Sequence, residues 1–284
     1  MCGWGILVHR DGKPVERRHL QAMADAAAHR GPDAEGVVEL GPVGLAHRRL
    51  AVIDVHDRSN QPMQLGDSWL LFNGAIYNFQ AIRTELEALG HVFHTRSDTE
   101  VLLHALDQWG VDALPRFNGM FSLAFLDAKR GTVLLARDRF GIKPLCYYLS
   151  DTLLVAGSEA KQLLATGLVP SRPNIATARQ FLEAGTLNAG DRTFFADIAS
   201  LPPGHWLQLD LNSGTTVRRQ WYDLAQRITP SRPHYADAIA TIRDLLADSV
   251  RLRHIANVPL GAALSGGLDS TAIAIFSRPL LADP

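Results

Sequence analysis

Met1-Cys2-Gly3-Trp4-Gly5-Ile6-Leu7-Val8-His9 opens the chain with a cysteine followed at once by an apolar run. Removal of Met1 would place a thiol and a free α-amino group on one residue. An amine with a pKa near ~8 can take the thiol proton at neutral pH, so this is a nucleophile carrying its own base. A cysteine at the second position is more often incidental than catalytic, and the rest of the sequence has to decide between the two. The apolar run from Gly3 to Val8 reads as a strand. It is broken by His9, Arg10 and Asp11, too early for a signal-peptide core or a membrane span.

Working outward, the 284 residues are 46% hydrophobic and 20% charged, the balance of a globular protein of one large or two ordinary domains. With 28 basic and 29 acidic side chains the net charge is −1, so no overall field favours nucleic acid or an anionic membrane, and small-molecule chemistry is expected. Two cysteines, Cys2 and Cys146, cannot build a disulfide framework or a cysteine zinc site, which predicts a cytoplasmic protein. The eleven histidines show no His-Glu-x-x-His or comparable ligand spacing, and no protein-held metal is expected.

Val43 to Ala46, Trp69 to Phe72, Phe121 to Leu126 and Thr132 to Ala136 read as further strands, the last two joined as a hairpin across Asp127-Ala128-Lys129-Arg130-Gly131. A helix is predicted from Phe79 to Leu89, stopped by Gly90. A second starts at Ser97-Asp98-Thr99-Glu100, the pattern of a reciprocal capping box, and runs to Gly110. Thr229-Pro230-Ser231-Arg232-Pro233 punctuates the chain as a linker. Beyond it, Ile239, Ile242, Leu246 and Val250 fall at helical spacing and predict a helix with one face packed inward. A buried strand is expected at Val258 to Leu264, running into Ser265-Gly266-Gly267-Leu268-Asp269-Ser270 and an apolar helical start at Thr271. Strand, small-residue loop and helix form a phosphate-cradling order, although the Gly-Lys-Ser/Thr ending of a P-loop is absent and most such turns bind nothing.

Eight segments in order resemble the glutamine-hydrolysing asparagine synthetases. They are Met1-Cys2-Gly3, His29-Arg30-Gly31-Pro32-Asp33, Ala46 to Asp54 around Arg48-Arg49-Leu50, Phe72-Asn73-Gly74-Ala75-Ile76-Tyr77-Asn78, Ser97 to Glu100, Arg137-Asp138-Arg139-Phe140-Gly141-Ile142-Lys143-Pro144-Leu145, Leu201-Pro202-Pro203-Gly204-His205, and Ser265 to Ser270. The resemblance implies an α+β chain: a four-layer αββα glutaminase domain of the N-terminal-nucleophile type over 2–228, then, over 235–284, the beginning of an α/β nucleotide α-hydrolase-like domain that forms adenylates.

Within that resemblance Cys2 would attack the glutamine side-chain amide, with Asn73 and the Gly74 amide as oxyanion hole. Arg49 would hold the substrate carboxylate, Leu50, Val52 and Ile53 would line the pocket, and Asp98 would take the ammonium. Leu264, Ser265, Gly266, Gly267, Asp269 and Ser270 would meet ATP, used with Mg2+ to activate a carboxylate, aspartate first among them, and a homodimer is allowed for. Asn73-Gly74 alone is a turn dipeptide, Asp98 could simply cap its helix, and Arg48 reads as a surface ion pair. Two departures stand out. Ala75 replaces the family's glutamate, which leaves Asp98 alone with the ammonium. Only about fifty residues follow the linker, where such a domain needs ~100 to 150, so a truncated form or fragment is expected, with its last apolar helix prone to disorder or aggregation. A synthetase of another carboxylate and a non-catalytic glutamine-binding module are the alternatives.

Overall fold

A computed structural model of the chain describes residues 1–186 and 190–281. Two units emerge, one of Met1–Ala51 with His56–Asp223, the other of Val52–Val55 with the chain from Leu224 onward. The first unit carries β1 (Gly3–His9), α1 (Arg17–Ala26), β2 (Ala34–Leu40), β3 (Val43–Arg49), β4 (Met63–Leu65), β5 (Ser68–Ile76), α2 (Phe79–Ala88), α3 (Asp98–Trp109), β6 (Gly119–Asp127) and β7 (Thr132–Arg137). It continues with β8 (Cys146–Leu149), β9 (Leu153–Gly157), α4 (Ala160–Ala165), α5 (Ile175–Ala184), β10 (Ala199–Ser200), β11 (His205–Asp210) and β12 (Thr216–Gln220).

The strands form two six-stranded sheets, ordered β10-β8-β9-β1-β3-β2 and β12-β11-β7-β6-β5-β4, and every pairing is antiparallel. The period-two geometry of β1 explains its unbroken apolar run. Trp4, Ile6 and Val8 enter the core shared with Leu71, Ala124 and Leu135 of the other sheet, while Leu7 faces Leu20 and Met23 of α1 and Leu163 of α4. With α3 covering β5 on the far side and α2 packed on α3, the layers run helix, sheet, sheet, helix. The expected αββα architecture is thus present, and the structural neighbours reported below share it. Its helices α1, α4 and α5 and strands β2, β4 and β8 to β12 had no counterpart in the sequence reading.

At the start of α3 the predicted capping box is half formed. Ser97 Oγ accepts from Glu100 N at 3.3 Å, but the Glu100 carboxylate turns to His94 N (2.8 Å) and Thr95 N (2.6 Å). The reason is local, since Ser97 N already donates to Thr95 Oγ1 at 3.2 Å.

In the second unit α6 (Tyr235–Arg253) and α7 (Leu268–Ser277) pack on each other. The expected strand at Val258 to Leu264 is not formed; Leu260 and Leu264 are 45% and 65% exposed. A buried parallel strand needs a neighbour on each side for its backbone groups, and the described residues of this unit contain no strand. The inward face predicted for α6 fails for the same want of partners, with Ile239 and Ile242 exposed and Val250 alone buried among the four residues. No helix among the described residues is long and apolar enough to cross a membrane.

Candidate active site

Cys2 stands just before β1, where Gly3 is in register with Arg48 of β3. That register brings Leu50 alongside, and its N–H donates to Cys2 Sγ at 3.4 Å. Burial pushes the Cys2 thiol up from its ordinary range; the Leu50 amide, the amino terminus and Arg49 pull it back, and Asp98 adds to the rise.

The segment from His29 to Asp33 frames this arrangement through its backbone and charges. Arg30 Nε donates to Cys2 O at 2.9 Å and its Nη1 to Glu159 Oε1 at 2.6 Å. Burial would raise the Glu159 carboxyl, but hydrogen bonds from Arg30, Lys161 and His29 pull it down to about 2, so it is a fixed anion. Asp33 holds the facing strand end, its N–H donating to Arg49 O (3.0 Å) and its Oδ2 accepting from Ala51 N (2.8 Å). Gly31 makes this close passage feasible, because a Cβ there would overlap the backbone of Arg48.

Arg48 and Arg49 part ways as alternate residues of a strand do. Arg48 pairs outward with Asp25 (3.0 Å) and Glu35, the surface ion pair expected of it. Arg49 is buried, its Nη1 donating to His56 O (2.9 Å) and Asn60 Oδ1 (2.8 Å), which fixes the guanidinium.

Asn73 lies on β5 opposite Ser122 of β6, and Ser122 Oγ accepts from Trp4 Nε1 at 3.0 Å. Trp4 therefore ties the strand that Cys2 begins to the row holding Asn73. Asn73 is 1% exposed, and its Nδ2 has no hydrogen-bond partner among the described residues. Buried amide donors are nearly always paired, so this donor is available to an acceptor that reaches it. Gly74 follows because a Cβ would overlap Met120 O and approach Phe121 Cα within 2.9 Å; the β5–β6 pairing excludes any side chain there.

Asp98, the first residue of α3, is buried and accepts from Ile76 N at 3.0 Å. Burial raises its pKa to about 6, against the hydrogen bonds from Ile76 and the helix amides and the charge of Arg49. Asp98 and Arg49 both act electrostatically on Cys2, which gathers the predicted nucleophile, cation and carboxylate in one neighbourhood. Ala75 is half-buried on β5 between Gly74 and Ile76. Val52 and Ile53 belong to the second unit, where Val52 O accepts from Asn257 N (2.8 Å) and Asp54 N donates to Asn257 Oδ1 (2.8 Å).

The sequence reading missed the roles of Arg30 and Glu159. Arg30 lies inside the His29–Asp33 segment, to which the sequence reading gave no chemical role of its own; Glu159 carried no local signal, since its use depends on β9 ending beside β1. Asp138 was missed likewise: its carboxylate accepts from the amides of Phe121 (3.1 Å), Phe140 (3.0 Å), Ile142 (3.0 Å) and Lys143 (2.9 Å) and so shapes the loop after β7.

In the second unit the Ser265–Ser270 loop is exposed, with Gly266 at φ 79°, Ser265 Oγ 3.1 Å from Ser270 Oγ, and α7 starting directly after Gly267. Amides at that helix start suit a phosphate oxygen, although Asp269 puts a carboxylate in the same first turn. Among the described residues, no group of three or more histidine, cysteine or acidic side chains could hold a metal ion.

Comparison with known proteins returns two family models, a glutamine amidotransferase domain over residues 1–222 and asparagine synthase over residues 241–283. "Asparagine synthetase [glutamine-hydrolyzing] 3" of Bacillus subtilis is 35% identical over 278 residues, covering 96% of this chain and 44% of that protein. An amidase of Penicillium rubens is 30% identical over 288 residues, 96% of this chain and 42% of the relative. The chain thus spans less than half the length of these relatives. Among solved structures, glutamine phosphoribosylpyrophosphate amidotransferase from B. subtilis superposes with a TM-score of 0.54 at 17% identity, over 98% of this chain and 64% of that one, a likeness of fold.

Proposed function

Since the chain belongs to the glutamine amidotransferase domain family and carries the start of an asparagine synthase domain, we propose that it hydrolyses glutamine at Cys2. Once Met1 is gone, the α-amine of Cys2 takes the thiol proton, and Sγ adds to the side-chain amide carbon. Negative charge moves to the amide oxygen, where Asn73 Nδ2 and Gly74 N–H donate to it. The proton passes to the departing nitrogen, ammonia leaves, and water opens the glutamyl thioester to give glutamate. Arg49 orients the substrate carboxylate through its fork, and Asp98 takes the ammonium. The observation that carries this reading is the unpartnered, buried Nδ2 of Asn73 in the row that Trp4 ties to the nucleophile's strand.

Ala75 predicts weak glutamine use. A missing charge-assisted hydrogen bond of ~1.5 to 3 kcal/mol corresponds to ~10- to 150-fold in affinity. The chain is expected to release glutamate and ammonia in equal amounts from glutamine, and Ala75→Glu to lower the KM for glutamine within that range. Absence of glutamate release from the processed chain would overturn the proposal, and an unchanged KM would remove the role given to position 75.

Asp98 makes that binding depend on pH. Its folded pKa of about 6 lies above the ordinary 3.8, so the protonated form is favoured by folding: its contribution to stability is full below pH ~4 and is lost as pH rises to ~6. The ionised form binds the ammonium, so KM for glutamine should climb about tenfold per unit as pH falls below 6. A flat KM from pH 7 to 5 would show that Asp98 does not hold substrate.

In the whole protein the ammonia would pass to a carboxylate activated by ATP with Mg2+, aspartate being the leading acceptor, in a domain organised as glutaminase over 2–228 and synthetase from 235. Ser265, Gly266, Gly267 and Ser270 would meet the nucleotide phosphates. The second reading, another carboxylate as acceptor, draws support from Ala75 and from the likeness to an amidase.

A further inference from the structure

Lys143 is buried, with 6% of its surface exposed, and among the described residues its ammonium makes no hydrogen bond or ion pair. An unpaired ammonium on a side chain this closely packed suits an anion that forms when the protein works. The sheet register says where Lys143 sits. Gly5 of β1 pairs with Gly157 of β9, and Gly157 pairs with Cys146 of β8, so β1 and β8 run in the same direction with Gly5 and Cys146 in one row. Cys2 and Lys143 each precede that row by the same number of residues. They therefore leave the same end of the sheet two strand spacings apart, about 10 Å between backbones, which a lysine side chain can largely span. Asp138 fixes the base of that side chain by accepting from Lys143 N at 2.9 Å, and Arg137 Nε donates to Lys143 O at 2.8 Å.

We propose that Lys143 is a positioning residue for the nucleophile, the positive charge that faces Cys2 Sγ once its proton has moved to the α-amine and that stabilises the thiolate until the thioester forms. The charges around it agree. Burial and Arg30 disfavour the Lys143 ammonium, whereas Cys2 and Asp138 favour it, and Lys143 in turn disfavours protonation of the Met1 amino group. The Leu50 amide, the amino terminus, Arg49 and Asp98 also act on Cys2, the last two with opposite sign to each other. Arg30 is engaged by Glu159, whereas Lys143 has no carboxylate partner among the described residues.

The test is the rate of Cys2 alkylation by iodoacetamide against pH in the full chain, with peptide mass spectrometry separating Cys2 from Cys146, whose burial raises its thiol to about 11. Lys143→Met should move the midpoint up by about one unit, slowing alkylation at pH 7 about tenfold, and Lys143→Arg should restore it. An unmoved midpoint in a folded Lys143→Met chain overturns the proposal. Should that variant fail to fold, Lys143→Gln takes its place, and failure of both would assign the lysine to the fold instead. The inference rests on Cys2 being the nucleophile, yet alkylation needs no glutamine. A shifted midpoint in a chain that releases no glutamate would reject the glutaminase reading and keep this one.

Discussion

Cys2→Ala is expected to lower glutamate release from glutamine by at least ~1,000-fold, because the covalent route is lost and no other thiol can replace it. Cys146 lies in β8 and its thiol is held protonated by burial. The change is small in structural terms: it removes the contact from Leu50 N to Sγ and little else, so the melting temperature should move by only a few degrees. Glutamine should still bind, since Arg49 and Asp98 are untouched. Steady-state release measured beside calorimetric binding separates the two effects. Retained turnover in Cys2→Ala would end the case for a thiol nucleophile.

Asn73→Ala carries the second large effect, a ~100- to 1,000-fold fall in kcat with KM nearly constant. The donor matters only once negative charge appears on the amide oxygen, so it contributes to the transition state and not to the resting complex. The structure adds a second signature. Nδ2 is already buried without a partner, so deleting that amino group relieves an unsatisfied donor, and the variant should unfold no more readily than the parent. Activity lost together with stability would instead mark Asn73 as an ordinary structural residue.

Both predictions concern residues that the resemblance picked out: Cys2, Arg49, Asn73, Gly74 and Asp98 each have an ordinary local reading, and only their segments in family order set them apart. The apolar runs of β1, β5, β6 and β7 announced buried strands, while the two-sheet arrangement came from the resemblance. What stayed hidden depends on distant pairing. Glu159 meets Arg30 because β9 ends beside β1, and Trp4 meets Ser122 because two sheets face each other, neither of which a local window contains. The strand expected at Val258 to Leu264 failed for the opposite reason. Its local pattern was right for a central strand, but a strand is a property of its neighbours, and this unit offers none among the described residues.

The grip of Arg30 on the Cys2 carbonyl has a consequence for how the protein comes alive. It holds the main chain just after the Met1–Cys2 bond and leaves Met1 itself 60% exposed. Under the proposed mechanism, the folded chain that still carries Met1 would hold Arg49, Asn73 and Asp98 as described while the Cys2 amine stayed capped as an amide. Activation would then be a single peptide cleavage, and specific activity would count the fraction of chains whose first residue has been trimmed.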